Sequence, residues 1–397
     1  MSKRDNMVEC QICGTFHHSI QKHLKEDHVD WTVERYSDVY PDAKLISDKL
    51  QAALDARREE KKGMAQMVAK IVKPSAGKSD KVPLHEVFGM PLTDEMRSVP
   101  RQGQSQGDPI MCLVFDRDSL DEASIEAIPE VDEDYVFSEE ELKDAVMAIQ
   151  IGEPLLAWGL HGTGKTSLIE QICARTNRPW IRVQHTGTTE ESHIYGQMAV
   201  RDGGTHFDYG PLAEAMMRGW AYVADEYDYA HPDVIAVYQP VLEGKPLYIK
   251  EAPPLQRVIK PHPNFRFIAT ANTNGSGDDT GLYSGTKMGN AAAYSRFGVT
   301  IQVNYPKPEA EASILVQRLR LTKDLAEKMV EFANSSREMY RKGELSLPIS
   351  PRELIKAGKL ALLKGGKFNR GIALAYSNRL DETQAESVSQ AAQRIFG

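Results

Sequence analysis

The amino-acid sequence predicts an α/β fold: a parallel β-sheet with helices on both faces, followed by an all-helical domain and preceded by a small N-terminal module. From about residue 150 to Tyr305, short apolar runs alternate with helix-like segments, which is typical of a parallel sheet covered by helices. After Tyr305 the strand pattern stops, and residues 308–395 read as four or five helices. The first 42 residues instead hold a cysteine pair and several histidines.

The composition is that of a globular chain with an ordinary core. Of the 397 residues, 41% are hydrophobic and 26% are charged. No apolar run approaches the ~18 residues of a membrane span, and the N-terminus lacks the apolar stretch of a signal peptide. We therefore expect a cytoplasmic protein that does not contact membranes. The net charge is −8: residues 1–82 hold 15 basic against 13 acidic side chains, and the rest hold 33 against 43. Any nucleic-acid binding would have to use the N-terminal part.

The N-terminal module has the spacing of a zinc site, C-x2-C-x9-H-x4-H. The predicted ligands are Cys10, Cys13, His23 and His28. His17 and His18 are competing ligands, and a reduced cysteine pair with surface histidines is the alternative. The spacing, with W-T-V-E-R-Y at 31–36, resembles the single zinc finger of the bacterial Ros/MucR regulators. Because the lysines of this segment are offset by acidic neighbours, docking to a protein is at least as expected as DNA binding.

Residues 159–166 read G-L-H-G-T-G-K-T and match the phosphate-binding loop G-x-x-x-x-G-K-[ST]. They follow an apolar strand and open a helix predicted from Ser167, which is the context that the motif requires. The glycines let backbone N–H groups turn toward phosphate oxygens, Lys165 neutralises phosphate charge, and the Thr166 hydroxyl ligates Mg²⁺. The predicted ATP-binding residues of this loop are Gly159, Gly162, Thr163, Gly164, Lys165, Thr166 and Ser167.

Two later strands end in polar residues that complete a hydrolytic site. The strand W-A-Y-V-A-D-E ends in Asp225, which would hold the Mg²⁺ shell, and Glu226, which would polarise the attacking water. The strand F-R-F-I-A-T-A-N ends in Asn272, which would position that water. An asparagine after a strand is also a common turn residue, which is the alternative.

Two arginines are candidates for contacts with the γ-phosphate. Arg296, in A-Y-S-R-F, is a candidate arginine finger reaching a neighbouring subunit's nucleotide; a surface salt bridge is the alternative. The string S-P-R-E at 350–353 predicts a capped helix start, which aims Arg352 back toward the nucleotide. The set implies a P-loop ATPase of the AAA+ class with a helical lid. Because a finger in trans needs a neighbour, we expect a homo-oligomer, a hexameric ring.

These patterns divide the chain into five predicted segments. They are a zinc-finger module at 1–42, an amphipathic helix and linker at 43–82, a segment with a flexible stretch at 83–127, the AAA+ nucleotide-binding domain at 128–305 and the helical lid at 306–397.

Four stretches carry a closer resemblance. They are G-L-H-G-T-G-K-T-S-L-I-E-Q (159–171), D-E-Y-D-Y-A-H-P-D-V (225–234), I-K-P-H-P-N-F-R-F-I-A-T-A-N-T (259–273) and G-D-D-T-G-L-Y-S-G-T (277–286). From about Val82 to its end, the sequence resembles the ATPase subunits of aerobic cobaltochelatase (the CobS type), within the MoxR group of AAA+ proteins. The resemblance implies a hexameric ring, a partner with a von Willebrand A-type domain and a large chelatase subunit that binds the corrin ring. ATP hydrolysis would drive remodelling of that assembly during cobalt insertion. The roles it carries over fall on Lys165, Thr166, Asp225, Glu226, Asn272, Arg296 and Arg352.

The resemblance also implies a β-hairpin inserted in the second helix, and residues 198–210 fit it. Two features depart from the family pattern. Ser295 stands before the finger arginine where the family usually has Asp, and residues 1–72 have no counterpart in the typical subunit. The ATPase can therefore be retained while its client differs.

Three alternatives stay open at this point. The first is a MoxR-like chaperone with a different client, and the second is a nucleic-acid-associated AAA+ ATPase anchored by the zinc module. The near-neutral charge of residues 1–82 argues against the second. The third is a ring that binds ATP only to assemble, and Glu226 argues against it, because assembly needs no water-activating carboxylate.

Overall fold

In a computed structural model of the chain, the structure describes residues 7–56, 77–100, 104–201, 204–254, 257–275 and 291–397. The chain divides into two compact units, Met1–Lys73 and Pro74–Gly397. Among the described residues, no helix combines the length and the apolar character needed to cross a membrane.

The first unit is a short hairpin followed by helices. Its elements are β1 (Val8–Glu9), β2 (Phe16–His17), α1 (Ile20–Asp27), α2 (Val33–Val39) and helical residues 48–56, here α3. β1 and β2 pair antiparallel, and a small core of Ile20, Leu24 and Tyr36 packs beneath them. Ser19 and Thr32 cap the first two helices by accepting hydrogen bonds from backbone N–H groups. The rest of the predicted amphipathic segment, at 57–76, lies outside the described residues.

The second unit opens with an antiparallel pair of strands that flanks the central sheet. Its first elements are β3 (Ser79–Pro83), α4 (Leu84–Val87), β4 (Met111–Phe115), α5 (Glu122–Glu126) and α6 (Glu139–Ile151). β3 pairs with β4 and begins inside the segment predicted as a linker. Ser138 occupies the N-cap position of α6, although its side chain makes no capping hydrogen bond.

The α/β part then follows the predicted alternation. Its elements are β5 (Leu155–Trp158), α7 (Lys165–Arg175), β6 (Trp180–Gln184), α8 (Glu191–Tyr195), β7 (Gly196–Arg201), β8 (Gly204–Tyr209), α9 (Pro211–Arg218), β9 (Ala221–Asp225), α10 (Pro232–Leu242), β10 (Leu247–Tyr248), β11 (Val258–Ile259), β12 (Arg266–Ala271), α11 (Ala291–Tyr294) and β13 (Val299–Gln302). The predicted hairpin is present as the antiparallel pair β7–β8, and its centre lies outside the described residues.

Five strands form the central sheet in the order β13-β5-β12-β9-β6, and every neighbouring pair is parallel. Apolar side chains on its two faces pack into two separate cores, one around Tyr222 and Tyr238 and the other around Leu155 and Ile169. Because parallel strands point their carboxyl ends the same way, the loop that follows β5 and the polar residues at the ends of β9 and β12 meet at one edge of the sheet. The predicted α/β class is therefore confirmed, and the parallel sheet explains why the candidate site residues lie together.

The C-terminal part is all-helical, as the sequence predicts. It contains α12 (Pro308–Leu319), α13 (Lys323–Arg341), α14 (Pro351–Leu363), α15 (Phe368–Ala375) and α16 (Glu382–Phe396) around its own core. Ser350 and Glu353 form a reciprocal capping box at the start of α14, so the predicted helix start is confirmed. Between α12 and α13, Arg337 and Glu311 form a buried bidentate ion pair with two contacts of 2.7 Å.

Candidate nucleotide-binding site

The loop between β5 and α7 has the backbone of a phosphate cradle. Gly159, Gly162 and Gly164 have φ angles of 154°, 76° and 96°, which lie in the region that favours glycine. Gly164 takes the N-cap position of α7, so the helix begins at Lys165, two residues earlier than the predicted start at Ser167. The N-terminus of a helix therefore points at the loop, and its free N–H groups and dipole favour an anion.

Two of these glycines also sit where a side chain has no room. A Cβ on Gly159 would lie 2.2 Å from the carbonyl oxygen of Val303, and a Cβ on Gly162 would lie 2.4 Å from the Cβ of Ser350. The loop is thus packed against the end of β13 on one side and the cap of α14 on the other. A Cβ on Gly164 would meet no atom closer than the Tyr135 hydroxyl at 4.0 Å, so this glycine faces open space.

The ammonium of Lys165 lies inside the loop. Its Nζ donates to the carbonyl oxygens of Gly159 at 2.8 Å and Leu160 at 3.0 Å, and to Oδ1 of Asn272 at 3.0 Å. Burial lowers its pKa to about 8, against the opposing effect of nearby carboxylates, chiefly Asp228. The lysine therefore carries a cation that burial disfavours, which an added anion would stabilise.

Asp225, at the end of β9, is held by three side chains. Its Oδ1 accepts from Thr166 at 2.8 Å and from Thr270, and its Oδ2 accepts from Arg182 Nε at 2.8 Å and from a second nitrogen of the same guanidinium. Burial alone would raise the pKa of Asp225, but the hydrogen bonds from Thr270, Thr166 and Arg182 lower it. Asp225 is therefore an ionised carboxylate beside the hydroxyl of Thr166, a pair of oxygen ligands that suits Mg²⁺.

Glu226 follows Asp225 in a left-handed conformation, with φ 55° and ψ 45°. Its Oε2 accepts a hydrogen bond from Gln184 at 2.9 Å, and its backbone N–H donates to the Thr270 hydroxyl at 3.3 Å. The unusual backbone turns the side chain of Glu226 into the same space as Lys165 and Asp225.

Asn272 is fixed by a carboxylate that the sequence analysis did not single out. Oδ2 of the buried Asp228 accepts from the backbone N–H groups of Asn272 at 2.9 Å and Thr273 at 3.0 Å, and from the Thr273 hydroxyl at 3.2 Å. Asp228 therefore sets the turn that carries Asn272 toward Lys165.

Lys165, Asp225, Glu226 and Asn272 line one cavity of about 390 Å³. Its walls are His161, Gly162, Gly164, Lys165, Thr166, Ser167, Arg182, Gln184, Asp225, Glu226, Thr270, Ala271, Asn272 and Arg352. The structure thus brings together most of the predicted loop residues with Asp225, Glu226, Asn272 and Arg352. Burial lowers the pKa of His161, as do Arg352 and Lys165, so the cavity keeps this imidazole neutral.

A second cavity of about 270 Å³ shares the loop with the first. It is lined by Gly162, Thr163, Gly164, Ser167 and Arg352, by Asp132, Asp134, Tyr135 and Val136 ahead of α6, and by Pro306, Ile314, Arg318, Pro351 and Ile355 from the lid. Thr163, which does not line the first cavity, lies here. The mixed aromatic and aliphatic walls suit a flat heterocycle next to the phosphate cradle.

Arg296 lies elsewhere. Its Nε donates to Glu243 Oε1 at 2.7 Å, and another of its nitrogens donates to the carbonyl oxygen of Ala292. It lines a separate cavity of about 720 Å³ with residues of the loops around Gly152 and His262. Arg296 is thus the one predicted catalytic residue that the described cavity around Lys165 does not include.

In the first unit, the four predicted metal ligands lie together. One ligand atom from each of Cys10, Cys13, His23 and His28 lies within 4.8 Å of the others. His23 Nε2 is 3.2 Å from Cys13 Sγ, while its Nδ1 is 2.7 Å from Asp27 Oδ2, which fixes the ring. The Nε2 of His28 is buried and has no hydrogen-bond partner. The pKa of Cys13 is lowered to about 5, chiefly by the hydrogen bond from Thr15, and this favours a thiolate.

The competing histidines point to other partners. His17 stacks on His23 with ring centroids 3.7 Å apart, and its Nε2 lies 2.7 Å from the Thr15 hydroxyl. His18 Nδ1 lies 2.9 Å from the Ser47 hydroxyl. The geometry therefore favours His23 and His28 over both competitors.

Comparison with known proteins agrees with this geometry. Residues 154–297 match the family described as AAA domain (dynein-related subfamily), and residues 311–395 match CbbQ/NirQ/NorQ C-terminal. The aerobic cobaltochelatase subunit CobS of a Sinorhizobium species is 34% identical over 281 residues, which are 68% of this chain and 83% of that protein. The chain belongs to the CobS/CbbQ-type AAA+ ATPases.

Two further relatives are less similar. Protein CbbQ of Hydrogenophilus thermoluteolus is 28% identical over 210 residues, 52% of this chain and 73% of that protein. The mouse von Willebrand factor A domain-containing protein 8 is 27% identical over 239 residues, 56% of this chain and 12% of that protein. As a CobS/CbbQ-type AAA+ protein, the chain is an ATPase, and its family implies the use of a nucleotide with Mg²⁺.

The residues of this CobS/CbbQ-type site that escaped sequence reasoning include Arg182, Gln184, Asp228 and Thr270. The signal for the first two is their position at the carboxyl end of β6, the strand that pairs with β9 and aligns Gln184 with Asp225. The sequence predicts alternating strands and helices in this region, but not the strand order that places Arg182 and Gln184 beside Asp225.

Proposed function

We propose that this chain is the motor subunit of a ring-shaped remodelling machine in which neighbouring protomers share each ATP. One observation carries the proposal. The cavity around Lys165 gathers a phosphate cradle, two carboxylates and Asn272, whereas Arg296 lies in a different cavity on the same protomer. An arginine that cannot serve its own site can serve the site of the next copy in a ring, for which a hexamer is the expected form.

Binding falls to the loop and its lysine. The N–H groups of the loop and of the first turn of α7 hold the phosphates, and Lys165 exchanges its three protein acceptors for phosphate oxygens. Thr166 and Asp225 are the residues that would hold Mg²⁺, whose charge offsets that of the β- and γ-phosphates. Arg352, at the first turn of α14, would contact the phosphates from the lid. The second cavity, beside Tyr135, would bind the adenine base of ATP.

The hydrolytic step falls to Glu226 and Asn272. With its carboxylate facing the cavity, Glu226 would accept a proton from a water molecule as that water attacks the γ-phosphate. Asn272, held by Lys165 and Asp228, would orient the same water. Arg296 of the adjacent protomer would stabilise the charge that develops on the transferred phosphoryl group.

Three single variants test these roles. Lys165→Ala should abolish nucleotide binding, Glu226→Gln should bind ATP and lose hydrolysis by at least about a hundredfold, and Arg296→Ala should bind ATP and lose hydrolysis. Binding is followed with a fluorescent ATP analogue and hydrolysis by phosphate release. Normal turnover by Arg296→Ala would contradict the shared site.

A mixing experiment separates a shared site from a self-contained one. Rings reassembled from equal amounts of Glu226→Gln and Arg296→Ala contain sites where an intact Glu226 meets an intact neighbouring Arg296. Random mixing gives about a quarter of such sites, so about a quarter of the wild-type rate should return. A mixture as inactive as its two components would contradict action in trans.

The relation to CobS suggests the machine that this motor serves. We propose a partner with a von Willebrand A-type domain and a large subunit that binds a tetrapyrrole, with ATP hydrolysis driving cobalt insertion. The Glu226→Gln variant, trapped with ATP, should retain these partners in a pull-down, with Lys165→Ala as the matched control. Recovery of a different client in the same ATP-dependent manner would support a MoxR-like chaperone instead.

For the first unit we propose a zinc module that docks the ring to a protein. The support is the cluster of Cys10, Cys13, His23 and His28, the buried and unpartnered Nε2 of His28, and the carboxylate that orients His23. Two thiolates and two imidazoles form a donor set that suits tetrahedral zinc. Bound zinc would cross-link the β1–β2 hairpin to α1 and so stabilise the first unit, whose hydrophobic core contains few residues.

Metal analysis of the purified chain tests the zinc module. We expect one zinc per protomer, and none for Cys10→Ser with Cys13→Ser, whereas His17→Gln should keep the metal. A salt-dependent shift of DNA by the wild-type chain that the double cysteine variant lacks would favour the nucleic-acid alternative over protein docking.

A further inference from the structure

A fully buried histidine lies next to the hydrolytic carboxylates without being part of the cavity. His185 follows directly after β6 and is 0% exposed. Its backbone N–H donates to the carbonyl oxygen of Asp225 at 2.8 Å, and its ring Nδ1 lies 3.0 Å from the same oxygen. The carbonyl that precedes Glu226 is therefore in contact with two nitrogens of one residue.

The other ring nitrogen ends a chain of hydroxyls. His185 Nε2 lies 2.7 Å from the Tyr238 hydroxyl, which lies 2.8 Å from the Tyr222 hydroxyl. A carbonyl oxygen only accepts, so Nδ1 must carry a proton to bond it, and the neutral ring then accepts from Tyr238 at Nε2. Burial lowers the pKa of His185, which agrees with a neutral ring. Tyr222 can donate in turn to Tyr238, so every member has a partner.

This chain of hydrogen bonds grips one end of the peptide bond between Asp225 and Glu226. The other end is held as well, because the N–H of Glu226 donates to the Thr270 hydroxyl at 3.3 Å. Glu226 needs such support, because a φ of 55° is unfavourable for a residue with a Cβ. If the peptide rotated, the carboxylate would leave the cavity.

We propose that His185 is a positioning residue for ATP hydrolysis, which locks the Asp225–Glu226 peptide so that the Glu226 carboxylate faces the γ-phosphate. The inference rests on the proposed role of Glu226. Burying an imidazole without hydrogen-bond partners is unfavourable, so an apolar side chain of similar volume would fill the core better than a histidine. Here both ring nitrogens are engaged, and one of them contacts the peptide that carries the catalytic group.

Two matched amide variants test the lock. In His185→Asn the side-chain amide lies near the position of Nδ1 and can still donate to the carbonyl; in His185→Gln the amide lies near Nε2 and keeps only the Tyr238 contact. We expect kcat within about threefold of wild type for Asn and about tenfold lower for Gln. The Kd for ATP with Mg²⁺ should stay within about twofold for both, because neither variant changes a group that lines the cavity.

A double-mutant cycle separates positioning from general damage to the core. His185→Gln should lower kcat in the wild-type background but cause no further loss when Glu226 is already Gln, because there is then no carboxylate to place. Tyr222→Phe is the matched control for loss of a buried hydroxyl of the same network farther from the peptide, and it should leave kcat within about twofold.

Several results would overturn the proposal. They are equal kcat for the Asn and Gln variants, a further loss when His185→Gln is added to Glu226→Gln, or a rise in Kd that matches the fall in kcat. If His185→Gln does not fold by circular dichroism, Tyr238→Phe takes its place. Without the Tyr238 hydroxyl nothing keeps the proton of His185 on Nδ1, so an unchanged kcat for that variant would count against the chain of hydroxyls. Normal hydrolysis by Glu226→Gln alone would instead refute the proposed function.

Discussion

The buried ammonium of Lys165 predicts a pH dependence of ATP binding that a solvent-exposed lysine would not show. The pKa of Lys165 is lowered to about 8, mainly by burial and against the pull of nearby carboxylates. ATP binds the charged form, because the cation pairs with phosphate oxygens. Below pH 8 affinity should therefore be nearly constant, and above pH 8 it should fall as the ammonium loses its proton.

The size of the effect follows from this pKa. At pH 7.5 about three quarters of the free protein carries the charged lysine, and at pH 9 about one tenth does. The Kd for ATP should therefore rise about eightfold over this range. His161, whose pKa is lowered below its usual value, stays neutral throughout and adds nothing to the slope.

The assay is titration with a fluorescent ATP analogue in the presence of Mg²⁺, at constant ionic strength, in the Glu226→Gln background to prevent turnover. Lys165→Arg is the matched control, since a guanidinium remains charged over the whole range. Its affinity should be lower at every pH, but the Kd should not change between pH 7.5 and 9. An unchanged Kd in the protein with Lys165, or an equal slope in the arginine variant, would refute the argument.

Two predictions concern the packing of the lid. Gly162→Ala should weaken ATP binding at least tenfold in the same titration, because the new Cβ would lie 2.4 Å from the Cβ of Ser350 and the φ of this residue is 76°. Gly343→Ala is the control, since Gly343 also has a positive φ but a Cβ there would meet open space. Arg337→Met should lower the free energy of unfolding by about 3–5 kcal/mol in urea, because it leaves Glu311 charged and buried, and adding Glu311→Leu should recover most of the loss. A single-variant loss under about 1 kcal/mol would contradict this account.

The parts of the site that the sequence predicts are those encoded along the chain. The glycines, Lys165 and Thr166 occupy fixed offsets in one loop, because a phosphate cradle is made from consecutive backbone groups. Asp225 and Asn272 each follow an apolar strand, and parallel strands carry such residues to one edge whatever their order. The capping box at Ser350 is equally local, so the position of Arg352 follows from it.

The parts that escaped depend on which elements become neighbours. Arg182 reaches Asp225 only because β6 pairs with β9, and Asp228 reaches the backbone of Asn272 only because the turn after β9 lies beside the end of β12. Strand order is set by packing of whole faces, which a local pattern does not record. The sequence leaves open which of the four histidines bind zinc for the same reason, because only the fold shows that His18 lies within hydrogen-bond distance of Ser47.

Helix α10 lies between the supports of two residues with proposed roles in hydrolysis, Glu226 and Arg296. Tyr238 on this helix supports the peptide beneath Glu226 through His185, and the next residue after the helix, Glu243, is the partner of Arg296. Pro240 interrupts the hydrogen bonding of this helix, but Tyr238 and Glu243 lie within two turns of each other, so a shift of this end of α10 would move both. In the ring proposed above, movement of this helix would therefore couple the Glu226 of one protomer to the Arg296 that the same protomer presents to the next.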